Sequence, residues 1–253
     1  MSPRNSPAGP EELSATRRAQ VVRQSLSVGI ATGLYGVSFG ALSVAAGLSL
    51  VQTCLLSLLL FSGGSQFAFV GIVGAGGSGV AAVATSTLLG LRNGLYGLQL
   101  SRLLRLRGWR RLVGAQITID ESTAVAIGQS ELPASRLGFW LTGTSVFVLW
   151  NLMTLVGGLV GNALGDPKRY GLDAAAASAF LALLWPRLKA GEARVVAVAA
   201  GFVAMVLSPF VPAGVPVLAA GLAAVVMGAR PGGVDAADGA GSAGRSPLSE
   251  RPA

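Results

Sequence analysis

The chain has 253 residues, of which 52% are hydrophobic and only 12% are charged, and its mean hydropathy is +0.63. This composition excludes an ordinary soluble domain, and the uncharged run from residue 24 to 91 has room for three helical passes of about 20 residues each. The net charge of +8 does not indicate nucleic-acid binding, because most arginines lie in the tails and between the apolar runs, where cytoplasmic loops collect positive charge. The apolar runs also lack the alternation of barrel strands, so the predicted fold class is all-α, a polytopic membrane protein.

Cysteine and histidine usage excludes several kinds of chemistry. Cys54 is the single cysteine and the chain has no histidine, so the sequence predicts neither a disulfide framework, nor a metal site, nor a Ser-His-Asp triad. No glycine-rich phosphate loop follows a strand. We therefore predict no catalytic residues, no enzyme activity and no cofactor.

In chain order, a polar tail (1–24) precedes a single membrane domain (25–230), and a Gly/Ala/Ser-rich tail (231–253) with a disordered composition follows it. Loop 99–138, basic at first and then amphipathic, interrupts the domain. Glycines at four-residue spacing, such as Gly29 with Gly33 and Gly157 with Gly161, predict close helix packing. Seven spans are predicted, at about 26–46, 50–74, 79–98, 139–163, 172–188, 194–210 and 212–229.

A faint internal repeat relates Gly40-Ala41-Leu42 and the residues after it to Asn162-Ala163-Leu164 and the residues after those. A repeat unit of three spans would be inverted in its second copy. The second span is broken around 62–66, and the fifth has only 13 uncharged residues before Arg187. Interrupted or short helices at matching positions indicate a midplane binding site.

The predicted substrate-binding residues lie in the second and third spans. The break contains five of them, whose unwound backbone would offer free amides to a carboxylate and free carbonyls to an ammonium group: Ser62, Gly63, Gly64, Ser65 and Gln66. The third span contributes Arg92, Asn93 and Tyr96. A charge inside a span normally faces a cavity or a partner. The alternatives are that the glycines only allow close packing and that Arg92 snorkels to the interface.

Asp120 and Glu121 are adjacent acids within the amphipathic part of loop 99–138. Neighbouring positions on a helix point to different faces, so at most one of them can serve an inward site. One of the two acids could therefore serve an inward site, and the alternative is a solvated loop or a helix cap after Thr118.

Several motifs resemble those of the AzlC-type branched-chain amino acid permeases, the larger subunits of two-component exporters. The resemblance covers about residues 25–229, and its landmarks are GALSVAAGLS (40–49), FSGGSQF (61–67), LRNGLYG (91–97), ITIDES (117–122) and YGLDAAAASAFLALLWP (170–186). It implies about seven spans, transport of leucine-like amino acids and a small hydrophobic partner of the AzlD type. The family usually has a histidine where this chain has Asn93, so the resemblance implies that coupling to protons here uses Asp120 or Glu121, or is absent.

We therefore predict a secondary transporter subunit in the cytoplasmic membrane, exporting branched-chain or similar small hydrophobic amino acids. The alternatives are a non-transporting assembly subunit and a permease for another small solute. With seven spans, an outside N-terminus places 12 of 18 loop Lys and Arg residues inside. Treating 50–74 as a re-entrant hairpin places both termini and 16 of 18 inside, but it breaks the inverted repeat.

Overall fold

A computed structural model describes residues 13–164, 181, 185, 187–189 and 191–228. The chain divides into two compact units, Met1–Phe180 and Leu181–Ala253. Every regular element among the described residues is helical, as predicted. The C-terminal tail and most of the predicted fifth span, 172–188, lie outside the described residues.

Two long helices, α1 (Ala15–Ala45) and α7 (Leu132–Leu164), form the frame of the first unit. They pack along their whole length and run parallel, since Gly29 lies against Ser145, Gly33 against Leu149, and Gly161 against Ala41. A Cβ at any of these glycines would come within 3.0 Å of the facing helix. The glycines at four-residue spacing therefore allow close helix packing, as predicted. The glycine ridges, meaning the glycine-bearing faces of α1 and α7, pack against each other.

Helices α2 (Leu50–Leu59) and α3 (Gly63–Gly74) form a hairpin that enters and leaves at one end of this frame. Leu50 contacts Gly158 near the C-terminal end of α7, whereas Phe61 packs on Phe147, two to three turns further down. Helix α3 then returns, and Gly74 meets Ala46 just beyond the end of α1. Helices of 10 and 12 residues are about 15 and 18 Å long, near half of a roughly 30 Å membrane core.

Helix α4 (Gly79–Leu104) runs back along the frame to the N-terminal ends of α1 and α7, where Leu100 and Leu104 pack with Phe139. A second, shorter reversal follows, made of α5 (Trp109–Gln116) and α6 (Asp120–Ile127). The turn of this reversal, Ile117–Ile119, packs against Gly143 and Val146 on α7. Helix α6 then runs back toward the start of α7, where Val125 contacts Gly138. Two hairpins thus enter the frame from opposite ends.

These directions correct the predicted topology. The first and fourth predicted spans correspond to α1 and α7, and an inverted three-helix repeat requires them to be antiparallel, whereas their glycine contacts make them parallel. The expectation that 50–74 crosses is also wrong, because both ends of the α2–α3 hairpin lie at the same end of the frame. The re-entrant arrangement, held as the alternative, agrees with the structure.

Several predicted boundaries also move. Residues 15–24, expected in a polar tail, form the first turns of α1, which Ser14 caps by accepting a hydrogen bond from the Arg17 amide. Loop 99–138 is largely helical: α4 continues to Leu104, α5 and α6 lie within it, and α7 begins at Leu132. The predicted boundaries were placed where the uncharged runs end, whereas these helices continue into the charged residues beyond.

The end of the first unit that holds Arg17 and Glu131 is called the basic end. Nine arginines lie there in the helix ends and turns: Arg17, Arg18, Arg23, Arg102, Arg105, Arg107, Arg110, Arg111 and Arg136. The turns at the opposite, neutral end, 46–49 and 75–78, carry no charge. This asymmetry predicts that the basic end faces the cytoplasm.

The second unit contains α8 (Gly191–Leu207) and α9 (Val215–Gly228), which pack together after a short 3-10 turn at Arg187–Lys189. The prediction of helices at 194–210 and 212–229 is confirmed to within a few residues. Large apolar side chains on α8, such as Val198 and Phe202, are exposed.

Apolar side chains also cover the outside of the first unit, including Ile30 and Leu34 on α1, Leu95 on α4 and Leu159 on α7. Among the described residues, α1 and α7 are long and apolar enough to cross a membrane. A water-soluble protein rarely exposes contiguous apolar surface of this kind, so lipid or another membrane subunit is the expected neighbour.

Cysteine labelling tests the hairpin direction. In a Cys54→Ser background, we expect Ala45→Cys and Ala75→Cys to react with an impermeant thiol reagent added outside intact cells. Ser130→Cys, at the basic end, should react only after permeabilisation. Reaction of one of Ala45→Cys and Ala75→Cys without the other would show that the segment between them crosses the membrane.

Candidate functional site

The break between α2 and α3 lies slightly earlier than predicted, at Leu60–Ser62. The Ser62 backbone is extended (φ −157°, ψ 104°), and α3 begins at Gly63. The Ser62 amide donates to the Leu60 carbonyl at 2.7 Å, so it is not among the freed amides. The amides of Gly63, Gly64 and Ser65 occupy the first helical positions, which have no acceptor within the helix.

Two glutamines satisfy carbonyls that the break leaves open at the end of α2. Gln66 Nε2 donates to the Ser57 carbonyl at 3.3 Å, which ties the two arms of the hairpin together. Gln116 Nε2, at the end of α5, donates to the Leu58 carbonyl at 2.8 Å. The second bond joins the tips of the two opposed hairpins. The Ser57 carbonyl is buried and the Leu58 carbonyl lies at the outer surface of the fold, and neither a buried site nor lipid supplies a donor. An unsatisfied carbonyl at either place would cost several kcal/mol, so these bonds allow the break.

Arg92 lies on α4 beside the second hairpin and pairs with an acid there. Arg92 Nη2 lies 2.7 Å from Asp120 Oδ2, and the Tyr96 hydroxyl donates to Asp120 Oδ1 at 2.8 Å. The Arg92 and Asp120 side chains are 36% and 27% exposed. Asp120 is the first residue of α6, where the helix dipole also favours a negative charge. Arg92 therefore has a carboxylate partner within the fold. Asp120 begins α6 without capping it, since the cap is Ile119, and its coupling role stays a prediction.

The positive ends of two short helices converge here. The N-terminus of α3 follows Phe61, the N-terminus of α6 follows Ile119, and both side chains belong to one buried cluster with Val146 and Trp150. Unused amides at a helix N-terminus bind anionic groups, and Asp120 fills this role at α6. Within the described residues, no protein carboxylate pairs with the N-terminus of α3.

Polar atoms without a hydrogen-bond partner are concentrated among the predicted residues. Ser62, Ser65 and Gln66 are at most 5% exposed. Buried groups of this kind normally have partners. The unpartnered atoms at the predicted positions are Ser62 Oγ, Ser65 Oγ, Gln66 Oε1, Arg92 Nε and Asn93 Oδ1.

The structure brings the predicted residues together to different degrees. Arg92, Tyr96 and Asp120 are joined directly, and Ser65 reaches α4 at Gly90, where a Cβ would lie 3.5 Å from Ser65 Oγ. Glu121 is half-buried beside Asp120, and among the described contacts its carboxylate has no ion-pair partner. No group of three potential metal ligands occurs in the described part of the chain.

Sequence reasoning missed Trp150 and Gln116. The Trp150 ring lies over the start of α3, 3.4 Å from where a Gly63 Cβ would be, and its indole Nε1 is buried without a partner. The ring also packs with Tyr35, Phe39 and Phe67. A tryptophan in the middle of an apolar span, away from the interfaces where this residue concentrates, was the available signal.

Comparison with known proteins identifies the family of this chain. The AzlC protein family model matches residues 27–164, which contain α2 to α6 and nearly all of the frame. An uncharacterized membrane protein of Archaeoglobus fulgidus is 34% identical over 188 residues, covering 74% of this chain and 82% of the relative. No solved structure matches. These similarities place the chain among membrane proteins related to transport. The chain belongs to the AzlC family.

Proposed function

We propose that this chain is a multi-pass subunit of a secondary transporter in the cytoplasmic membrane, exporting branched-chain or similar small hydrophobic amino acids. The observation that supports this most directly is the Arg92–Asp120 pair beside two opposed half-helices. A pair of opposite charges formed between α4 and the tip of the second hairpin can exchange its partners with a zwitterion. A purely structural assembly subunit has no use for unpartnered polar groups at this depth.

The geometry supports a specific mode of binding. The substrate carboxylate would take the bidentate fork of Arg92 together with the amides of Gly63, Gly64 and Ser65. The substrate ammonium would take Asp120 or the unpartnered Gln66 Oε1. Both ends of the zwitterion are then satisfied as it enters a low-dielectric site, where an unpaired charge costs several kcal/mol. Tyr96 would hold Asp120 in place during the exchange.

The re-entrant hairpin supports a topology with both termini in the cytoplasm. Removing 50–74 from the predicted spans leaves six crossings. The basic end, with nine arginines, then faces inward, and 16 of the 18 loop Lys and Arg residues of the whole chain lie inside.

Coupling to protons is assigned to Glu121 in this proposal, because Asp120 is held by Arg92 and Tyr96. Protonating Asp120 would leave the positive charge of Arg92 without a counter-ion. Glu121 has no ion-pair partner among the described contacts, so its protonation leaves no charge unpaired. In this proposal Glu121 carries the proton and Asp120 binds the substrate ammonium.

A small hydrophobic AzlD-type partner remains part of the proposal on the basis of family membership. The glycine faces of α1 and α7 pack against each other, so they are not free to receive this subunit. The exposed apolar faces of α4 and α8 are the surfaces available to such a subunit.

Replacement of Arg92 by lysine tests the carboxylate clamp. Lysine keeps the charge but cannot form the bidentate pair. We expect Arg92→Lys to lower leucine transport by at least about tenfold, or about 1.4 kcal/mol, in proteoliposomes containing the chain and its partner. Arg102→Lys, an exposed arginine of the same helix, is the control and should transport normally. Normal transport by Arg92→Lys, with unchanged apparent affinity, would reduce Arg92 to a structural counter-ion.

The pH profile of transport separates the two acids. We expect Glu121→Gln to retain transport but lose its dependence on pH, since no titratable group then remains at that position. Asp120→Asn should lower transport at every pH, because the substrate ammonium loses its carboxylate partner. A flat pH profile in Asp120→Asn, with the parental profile kept in Glu121→Gln, would reverse the two roles.

A further inference from the structure

A concave pocket of about 640 Å³ opens at the basic end, apart from the transport site. The end of α4, the turn 105–108, the start of α5 and the first turns of α7 line it. Its polar lining consists of four arginines, and its apolar lining includes two tryptophans. These residues are Arg105, Arg107, Arg110, Arg136, Trp109 and Trp140.

Within the described part of the chain, the four arginines have no ion-pair partner. No carboxylate of the described residues lies within ion-pair distance of any of them, and none of the lining residues is acidic. Arg110 lies 5.9 Å from the centre of the Trp109 ring, a cation–π contact that leaves its N–H groups available. Four like charges around one concavity repel each other unless an anion joins them.

The turn that bears these side chains has a defined shape. Arg105 adopts a left-handed conformation (φ 51°) at the end of α4, and Gly108 has φ 56° immediately before α5. Arg136 and Trp140 are one turn apart on α7 and therefore share a face, which closes the pocket from the other side. Two separate parts of the chain, 105–110 and the first turns of α7, thus direct arginines to one place.

The surroundings are those of a membrane interface. Trp109 is 69% exposed and Leu112, on the same short helix, is 75% exposed. The first turn of α5 combines Trp109 with Arg110 and Arg111, a composition typical of a helix end at the membrane interface. Tryptophan is enriched at that level, where its ring is apolar on its faces and its N–H can reach water or a headgroup.

We propose that this pocket binds the phosphate-bearing headgroup of an anionic phospholipid of the inner leaflet. Guanidinium groups bind phosphate through paired hydrogen bonds, and basic pockets between membrane helices at the cytoplasmic side are suited to such headgroups. The apolar rim distinguishes a lipid from a free anion, since Trp109, Trp140 and Leu106 would contact the glycerol and upper acyl chain. The bound lipid would hold the ends of α4 and α7 together at the base of the second hairpin.

Thermal unfolding of the purified chain in neutral detergent tests this site. We expect phosphatidylglycerol to raise the melting temperature by several degrees relative to phosphatidylcholine, and inorganic phosphate at the same concentration to have little effect. The double variant Arg107→Gln/Arg110→Gln should lose the phosphatidylglycerol effect while unfolding normally in phosphatidylcholine. Native mass spectrometry should show one retained phosphatidylglycerol in the parent and none in this variant.

A matched control removes the same charge elsewhere at the basic end. Arg102→Gln/Arg111→Gln changes two exposed arginines that do not line the pocket, and it should keep the lipid effect. Arg136→Gln, on a different helix, provides a second pocket variant if the first does not fold. Equal losses in the pocket and control variants would show diffuse charge attraction, and equal stabilisation by inorganic phosphate would show a free-anion site; either result would overturn the proposal.

Discussion

The need to satisfy backbone carbonyls inside an apolar bundle governs the centre of this protein. Helix α2 ends halfway along the frame, and the carbonyls of Ser57 and Leu58 accept hydrogen bonds from Gln66 and Gln116. Because Gln116 belongs to the other hairpin, the bond that satisfies one hairpin also sets the depth of the other. The adjoining start of α6 then places Asp120 beside Arg92. The position of the candidate site thus depends on the hydrogen bonds that satisfy the open carbonyls at the end of α2.

The frame makes this arrangement possible. Glycines on α1 and α7 bring the two helices into backbone contact, as where Gly40 meets the Thr154 carbonyl and Gly157 meets the Val37 carbonyl. Each hairpin packs against this frame, the α2–α3 hairpin from the neutral end and the α5–α6 hairpin from the basic end. Thr154, on the frame, also accepts a hydrogen bond from Ser57 on the descending arm at 3.3 Å. Larger residues in place of these glycines would therefore disturb the site although every polar residue of the site is unchanged.

Sequence patterns predicted the helices, the broken segment and the polar residues of the candidate site, since a charge such as Arg92 within an apolar run requires a partner. They did not predict the direction of the chain. Apolar length alone cannot distinguish a crossing from a hairpin of the same total length, and 50–74 has the length of either. The pairing of Arg92 with Asp120, 28 positions away, and the contact of Trp150 with Gly63 depend on tertiary packing that no local pattern encodes.

The meeting of the two hairpin tips is the central claim, and short-range cross-linking measures it directly. In a Cys54→Ser background, Leu58→Cys and Gln116→Cys should be joined by a short bifunctional thiol reagent, and an inserted protease site within 105–108 reveals the product on a gel. Leu50→Cys with Gln116→Cys, at different depths, is the control and should not be joined. Efficient joining of the first pair alone is the predicted result. Failure of that pair to join, in a folded protein whose two thiols both react singly, would contradict the opposed-hairpin arrangement.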